Sequence, residues 1–357
     1  MAMSDFILTP VTHVVPLTTI RRERRLPAPG TVTARVGQRV QAADVVAEAE
    51  VGPRHYFVDV ARGLGMPERQ AGRYLVLTRG DQVTAGEVIA GPVGFSQRTV
   101  RAPADGRIVA VSGSRVLLQI RGEPFALRAG FPGVVVGTDD VLALTLETRG
   151  ALIQCAWGNG RSDYGLMRLV GDSPGDRMQT DKLDIDLRGA VLVAGTCDHP
   201  APLHQATELS VRGVILGSMA ADLIPVALRL PYPLVLTDGF GKRPINSRAY
   251  TLLASNVGRE AAVDATPSGP YQHQRPEVII PLPASEDVAM PEEVIPLSRG
   301  LRVRVMRAPL EGAVGVVQDI GETPVTYPSG VVARSATVEL EGIGIMPVPL
   351  ANLEVLE

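Results

Sequence analysis

Lysine is almost missing from this chain. Of its 35 basic side chains only Lys182 and Lys242 are lysines, and the rest are arginine. Chemistry that needs an amine nucleophile, a Schiff base or an attachment amine therefore has two candidates. Cysteine is as scarce, with Cys155 and Cys197 alone in 357 residues. That excludes a disulfide framework and makes a reducing cytoplasm the expected compartment. Aromatic residues make up 4%, with Trp157 the sole tryptophan. No long apolar run is present: the most apolar stretch, Val214 to Leu236, is interrupted by Asp222, Arg229 and three prolines, which argues against a membrane span. The N-terminus carries Asp5 and prolines in place of a basic region followed by an apolar one, so a secretory signal is not expected. The net charge of −3 gives no field that would steer the whole molecule to nucleic acid or an anionic surface. No G-x-S-x-G, H-E-x-x-H or closely spaced catalytic carboxylates appear. The reading leans against an enzyme, and no catalytic residue, metal or cofactor is assigned.

What is present is length, apolar residues and a repeat. At 357 residues and 45% hydrophobic composition, two or three packed domains are expected. The segment Val36 to Ala47 runs in register with Arg79 to Ala90, sharing Gly, Val, Ala, Val and Ala. Each copy reads as strand, glycine-centred turn and strand. Between them Phe57, Val60, Ala61 and Leu64 fall at helical spacing, with Gly63 and Gly65 as the stop, so a short inserted helix is expected. After the second copy, Ala102-Pro103-Ala104-Asp105-Gly106-Arg107-Ile108 reads as strand, tight turn and strand. The charge run Arg21-Arg22-Glu23-Arg24-Arg25 reads as a solvated strand edge or linker.

The two hairpins with the A-P-x-D-G-x-[IV] phrase resemble the barrel-sandwich hybrid family of biotinyl and lipoyl carriers and of the N-terminal domain of RnfC-type subunits. The resemblance implies such a domain over 1–128. In carriers of this family a lysine on an exposed hairpin holds the cofactor. The matching position here falls at about Pro53 and the domain has no lysine, so acyl carriage does not transfer and a domain that packs or docks is expected.

From 129 to 265 the period changes. Apolar strands at Ala190–Ala194, Val214–Leu216 and Leu234–Leu236 alternate with helical patterns at Pro202–Val211, Met219–Leu230 and Ser247–Val257. That alternation predicts βαβ units and a flavodoxin-like parallel α/β domain. Residues 266–296 are proline-rich and read as an extended linker. Over 297–357, Gly300-x-x-Val303-x-Val305 with Pro309, Gly312 and Gly315 resembles the KOW motif of small SH3-like barrels. The expected class is thus multidomain, α/β plus all-β.

In an open parallel sheet, ligands bind beyond the carboxyl ends of the strands. The residues there are Thr196, Ser218, Gly239, Gly241, Lys242, Arg243 and Asn246. They read as a candidate anion site, because a glycine turn exposes N–H groups beside two cations and a helix start. Trp157, Arg161 and Tyr164 form a candidate stacking surface. Arg302, Arg304 and Arg307 are the candidate nucleic-acid contacts, with Arg302 and Arg304 on one face of a strand. Cys197, Asp198, His199 and His204 invite a metal or Cys-His nucleophile, but zinc would need a fourth ligand at recognisable spacing. Asp198 also serves as a cap for the helix after it.

The function expected is a non-catalytic cytoplasmic scaffold that docks proteins or self-assembles, joined to a machine such as a ribosome or transcription complex. A nucleotide or phospho-metabolite site in the central crevice is the alternative, and RNA binding by the last barrel is a weaker one. No membrane partner is expected.

Overall fold

The computed structural model describes residues 8–52, 54–120, 122–267, 275–283, 288–292 and 295–356, and strands dominate it. The largest sheet runs in the order Trp157–Gly158, Leu234–Leu236, Gly213–Met219, Val191–Cys197, Ser162–Leu169, Glu260–Asp264, Glu277–Pro281, Ala143–Gln154, Gly133–Thr138, Arg39–Val40. The strand Val14–Arg25 is added beside Ala143–Gln154. Only the four strands from Ser162–Leu169 to Leu234–Leu236 are parallel neighbours. The rest of the sheet is antiparallel.

Alternation along Val191–Cys197 explains how two layers of helix pack on this sheet. Leu192 and Ala194 join Leu203, Ala206, Leu223 and Ala227 on one face. Val191 and Val193 join Ala249, Leu252 and Leu253 of Ser247–Ser255 on the other. The helix Pro200–Glu208 starts one residue later than a cap at Asp198 would require: His199 is the cap, its Nδ1 accepting from the Ala201 N–H at 3.2 Å.

The flavodoxin-like expectation is corrected. The parallel strands follow one another in chain order with no reversal, so the sheet lacks the switch point that defines a doubly wound crevice. Boundaries shift as well. Val14–Arg25 pairs with Ala143–Gln154 over its whole length, which ties the first segment into the central sheet. Glu277–Pro281 is a buried inner strand where a linker was expected. Of 266–296, residues 268–274, 284–287 and 293–294 lie outside the described residues.

The repeat proves to be two copies of one unit, nested. In the first copy Gly37 N–H donates to Val135 O, Val135 N–H to Gln38 O, and Ala129 N–H to Asp44 O. In the second, Gly80 donates to Ile108 O, Ile108 to Asp81 O, and Ala102 to Glu87 O. Strand registers agree: Gly133 faces Val40 and Gly106 faces Val83. Even a side-chain latch recurs, Arg128 donating to Ala43 O at 2.5 Å and Arg101 to Gly86 O at 2.7 Å. The hairpin of the second copy, Val88–Val93 with Arg98–Arg101, closes through Gly94-Phe95-Ser96-Gln97. The equivalent hairpin of the first copy, Val45–Val51 with Glu123–Arg128, opens there instead to admit 54–120. Each copy has its own core: Val46, Ala47, Leu127 and Val135 in the first; Ile89, Ala90, Ile108 and Leu118 in the second. Pro53, the position matching a carrier lysine, lies outside the described residues.

The C-terminal sheet runs Val11–Thr12, Leu353–Leu356, Arg302–Val305, Val314–Ile320, Ser335–Leu340, Gly344–Pro349. Its first member comes from the chain's N-terminal segment and lies parallel to Leu353–Leu356. Val303, Val317, Val338 and Val355 fill its core.

Candidate functional site

The carboxyl ends of the parallel strands meet the C-terminal sheet. Gly213–Met219 delivers Ser218 and Leu234–Leu236 runs on into Thr237 and Asp238, all buried. Ser218 Oγ accepts from the Arg243 N–H at 2.7 Å and also contacts the carbonyls of Gly241 and Arg243. Asp238 accepts from the Asn246 N–H at 2.9 Å and the Thr237 hydroxyl at 2.7 Å, and Asn246 Oδ1 caps Ser247–Ser255 through the Ala249 N–H. Across the junction comes Arg304, which donates to Asp238 at 3.1 Å, to Thr237 O at 3.0 Å and to Glu354 at 2.8 Å. Glu354 takes Arg275 at 2.6 Å and the Thr12 hydroxyl as well. At the rim Arg243 pairs with Glu311 at 3.2 Å.

This is a clasp. Arg304 and Glu354 are 3% and 1% exposed, so their charges survive only because each is answered by several partners. Burial pushes the Glu354 carboxyl up, but Arg304, Thr12 and Arg275 outweigh it and hold it below the usual glutamate range. A carboxylate depressed in this way stabilises the fold above the unfolded value near pH 4.3, and the stabilisation is lost as pH falls through the lower folded value. Acidification below about pH 4 should therefore loosen the C-terminal sheet. Urea titrations across that range should show the loss, and Glu354→Gln should flatten it.

The candidate anion residues are thus placed together but already engaged. Ser218, Arg243 and Asn246 hold the loop, Gly239 and Gly241 shape it with positive φ, and Lys242 points to solvent. Thr196 stands directly opposite Ser218 in the neighbouring strand, its backbone bonded to Asp176 and Met178. Trp157 packs edge-on against Phe240, ring centres 5.5 Å apart. Tyr164 lies in a different strand that faces a different cavity, and Arg161 is exposed at its start. The expected stacking trio is not assembled. Arg302 and Arg304 do share a face, and it is the face that docks; Arg302 also binds Glu341, while Arg307 is exposed. Asp238 lay in a loop singled out from sequence, but its partner is 66 positions away and no local signal joins them.

Cys197 is buried and its thiol is pushed up to about 11 by that burial; Cys155 is raised by burial too. Neither is a thiolate nucleophile at neutral pH. The folded chain should resist a thiol reagent at pH 7, and both cysteines should react at once in denaturant.

A cavity of about 100 Å³ lies between Val14–Arg25 and the central sheet. Arg22 makes two 2.6 Å bonds to buried Glu277, and Arg24 approaches Asp264 at 3.6 Å with its Nε unpartnered. Charge around it is balanced, with Arg22, Arg24, Arg128 and Arg275 against Glu23, Asp163, Asp264 and Glu277.

The inserted copy presents a different surface. Tyr56, Phe57, Tyr74, Val76, Phe95 and Val111 are all exposed, Phe95 completely so at 112% on its hairpin tip.

No family model matches the chain, and no curated protein matches it. Among solved structures, S-adenosylmethionine:2-dimethylmenaquinone methyltransferase from Geobacillus kaustophilus HTA426 is similar over 36% of this chain and 88% of its own, at 16% identity and a TM-score of 0.25. A likeness at that score carries no argument. No helix among the described residues is long and apolar enough to cross a membrane.

Proposed function

We propose that the chain is a non-catalytic assembly protein that docks protein, another protein or a further copy of itself, through the inserted copy 54–120. The observation that supports this is that four exposed aromatic side chains, Tyr56, Phe57, Tyr74 and Phe95, fall in this one inserted copy, with Phe125 the other exposed aromatic among the described residues. Apolar groups held in water on a separately cored unit mark a surface that is covered in use. The residues at the strand ends, by contrast, spend their hydrogen bonds on holding their own loop and on Arg304 of the C-terminal sheet.

The test compares the full chain, tagged and expressed at its native level, with a variant in which 54–120 gives way to a Gly-Phe-Ser-Gln turn. The full chain should be recovered as a complex and the variant as a monomer, with Trp157 emission and unfolding midpoint of the remainder preserved. A strictly monomeric full chain with no retained partner overturns the reading. The anion alternative is checked alongside by thermal shift with nucleotides and phosphate. No rise in midpoint is expected, and Lys242→Ala should change nothing.

A further inference from the structure

We propose that Arg54–Asp59 pairs antiparallel with the same strand of a second copy of this chain, across a two-fold axis at Phe57. The pairing rests on the assembly reading and names its occupant. Arg54–Asp59 is outermost in the sheet Arg54–Asp59, Arg115–Ile120, Gly106–Ser112, Gln82–Val83. It pairs with Arg115–Ile120 over six residues with no register shift, so its outer side is a regular row of backbone donors and acceptors. Such a row is a template for another strand.

Other long edges among the described residues are guarded. Val14–Arg25 carries Arg21, Arg22, Glu23, Arg24 and Arg25, and Thr18 and Thr19 are bonded to Ala289 and Val288. Gly344–Pro349 has Pro347 and Pro349, and Glu123–Arg128 has Pro124. Proline and dense charge are the usual defences against edge pairing. Arg54–Asp59 has no proline, no lysine and no bulge.

Side-chain parity then selects the register. Opposed residues of an antiparallel pair lie on one face, so a two-fold must fall on a residue and its own copy. Val58 packs on the core and Tyr56 stands over buried Leu118, so these two share the inner face. His55, Phe57 and Asp59 share the outer one. With the axis at Phe57, the two Phe57 rings meet, each His55 opposes the Asp59 of the other copy, and each Tyr56 opposes a Val58. With the axis at Tyr56, His55 would oppose Phe57 and Arg54 would oppose Val58, with no complementary pair. Aromatic pairs stabilise neighbouring strands, and an imidazole N–H can donate to an opposing carboxylate. The Arg115 guanidinium, 5.9 Å from the Phe57 ring centre and 3.3 Å from Glu68, already holds that ring from within its own chain.

The register makes a geometric test available in the full-length protein. Side chains directly opposed across antiparallel strands have Cβ atoms about 4.5–5.5 Å apart, within a modest adjustment of disulfide reach. Phe57→Cys should therefore form an intermolecular disulfide on mild oxidation, while Tyr56→Cys, offset from its own copy, should not. Cys155 and Cys197 are buried and do not compete. In sedimentation, Phe57→Lys should weaken the dimer roughly tenfold or more by opposing like charges. His55→Glu should weaken it by setting Glu against Asp59, and Val76→Lys should leave it intact. Circular dichroism and Trp157 emission establish that each variant is folded.

A wild-type monomer at every concentration, a dimer indifferent to Phe57→Lys, or equal cross-linking at positions 56 and 57 would overturn the pairing. If the chain still retains a different protein through 54–120, the assembly reading stands without it. If it retains nothing and stays monomeric, both fall.

Discussion

Replacing Arg304 with methionine should lower the unfolding free energy by about 3–5 kcal/mol, the usual cost of removing one partner from a buried ionic cluster. The loss comes from what remains. Asp238 and Glu354 keep their charges in a place where Arg304 supplied the answering bonds at 3.1 and 2.8 Å, and Glu354 is 1% exposed. Arg302→Met, one step along the same face, removes a half-exposed pair with Glu341 and should cost less than about 1 kcal/mol. Urea unfolding followed by Trp157 emission measures both, because Trp157 and Met306 line one cavity at this junction. A triple variant Arg304→Met, Asp238→Asn, Glu354→Gln should recover part of the loss by removing the stranded charges. If Arg304→Met alone costs no more than Arg302→Met, the clasp is not what holds the C-terminal sheet in place.

How much of this was legible in the sequence depends on the range of the signal. Local readings survive well. Val60–Leu64 is a helix ended by Gly65, although Phe57 lies in the strand before it; the strands Gly213–Met219 and Leu234–Leu236 fall where apolar runs placed them; and in Arg21–Arg25 the residues Arg21, Glu23 and Arg25 are exposed while Arg22 and Arg24 turn inward. These depend on periodicity and turn chemistry, which act over a few residues. Strand order does not. An alternating β and α pattern is compatible with several orders, and nothing local forbids Glu277–Pro281, which looks like part of a proline-rich linker, from entering the middle of a sheet. Its run Val278-Ile279-Ile280 was the available clue. The surroundings of the candidate site were hidden for the same reason: a glycine turn beside Lys242 and Arg243 reads as an anion cradle, and nothing local announces that Arg304 and Glu311 reach it from the far end of the chain.

The nested repeat sits between these cases, and it supports the second large effect. The copies at 36–47 and 79–90 were visible, but their complements at 128–135 and 101–108 share only Arg-Ala-x-x-x-Gly-x followed by a β-branched residue. The glycine is the informative position. A Cβ at Gly106 would lie 2.3 Å from Gln119 O, and one at Gly133 would lie 2.5 Å from Glu147 O. Either clash is with neighbouring backbone, so a valine at either site should cost several kcal/mol, about 4 or more. The consequences should differ in extent. The core around Gly106 is confined to 54–120, so Gly106→Val should unfold that copy alone, with loss of protection in hydrogen exchange over 54–120 and unchanged Trp157 emission. The core around Gly133 includes Leu152 and Ile279 of the central sheet, so Gly133→Val should spread there and shift Trp157 unfolding to lower denaturant. Equal damage to both regions by both variants would mean that the copies fold as one unit. In that case the insertion could not be removed without collapsing what carries it.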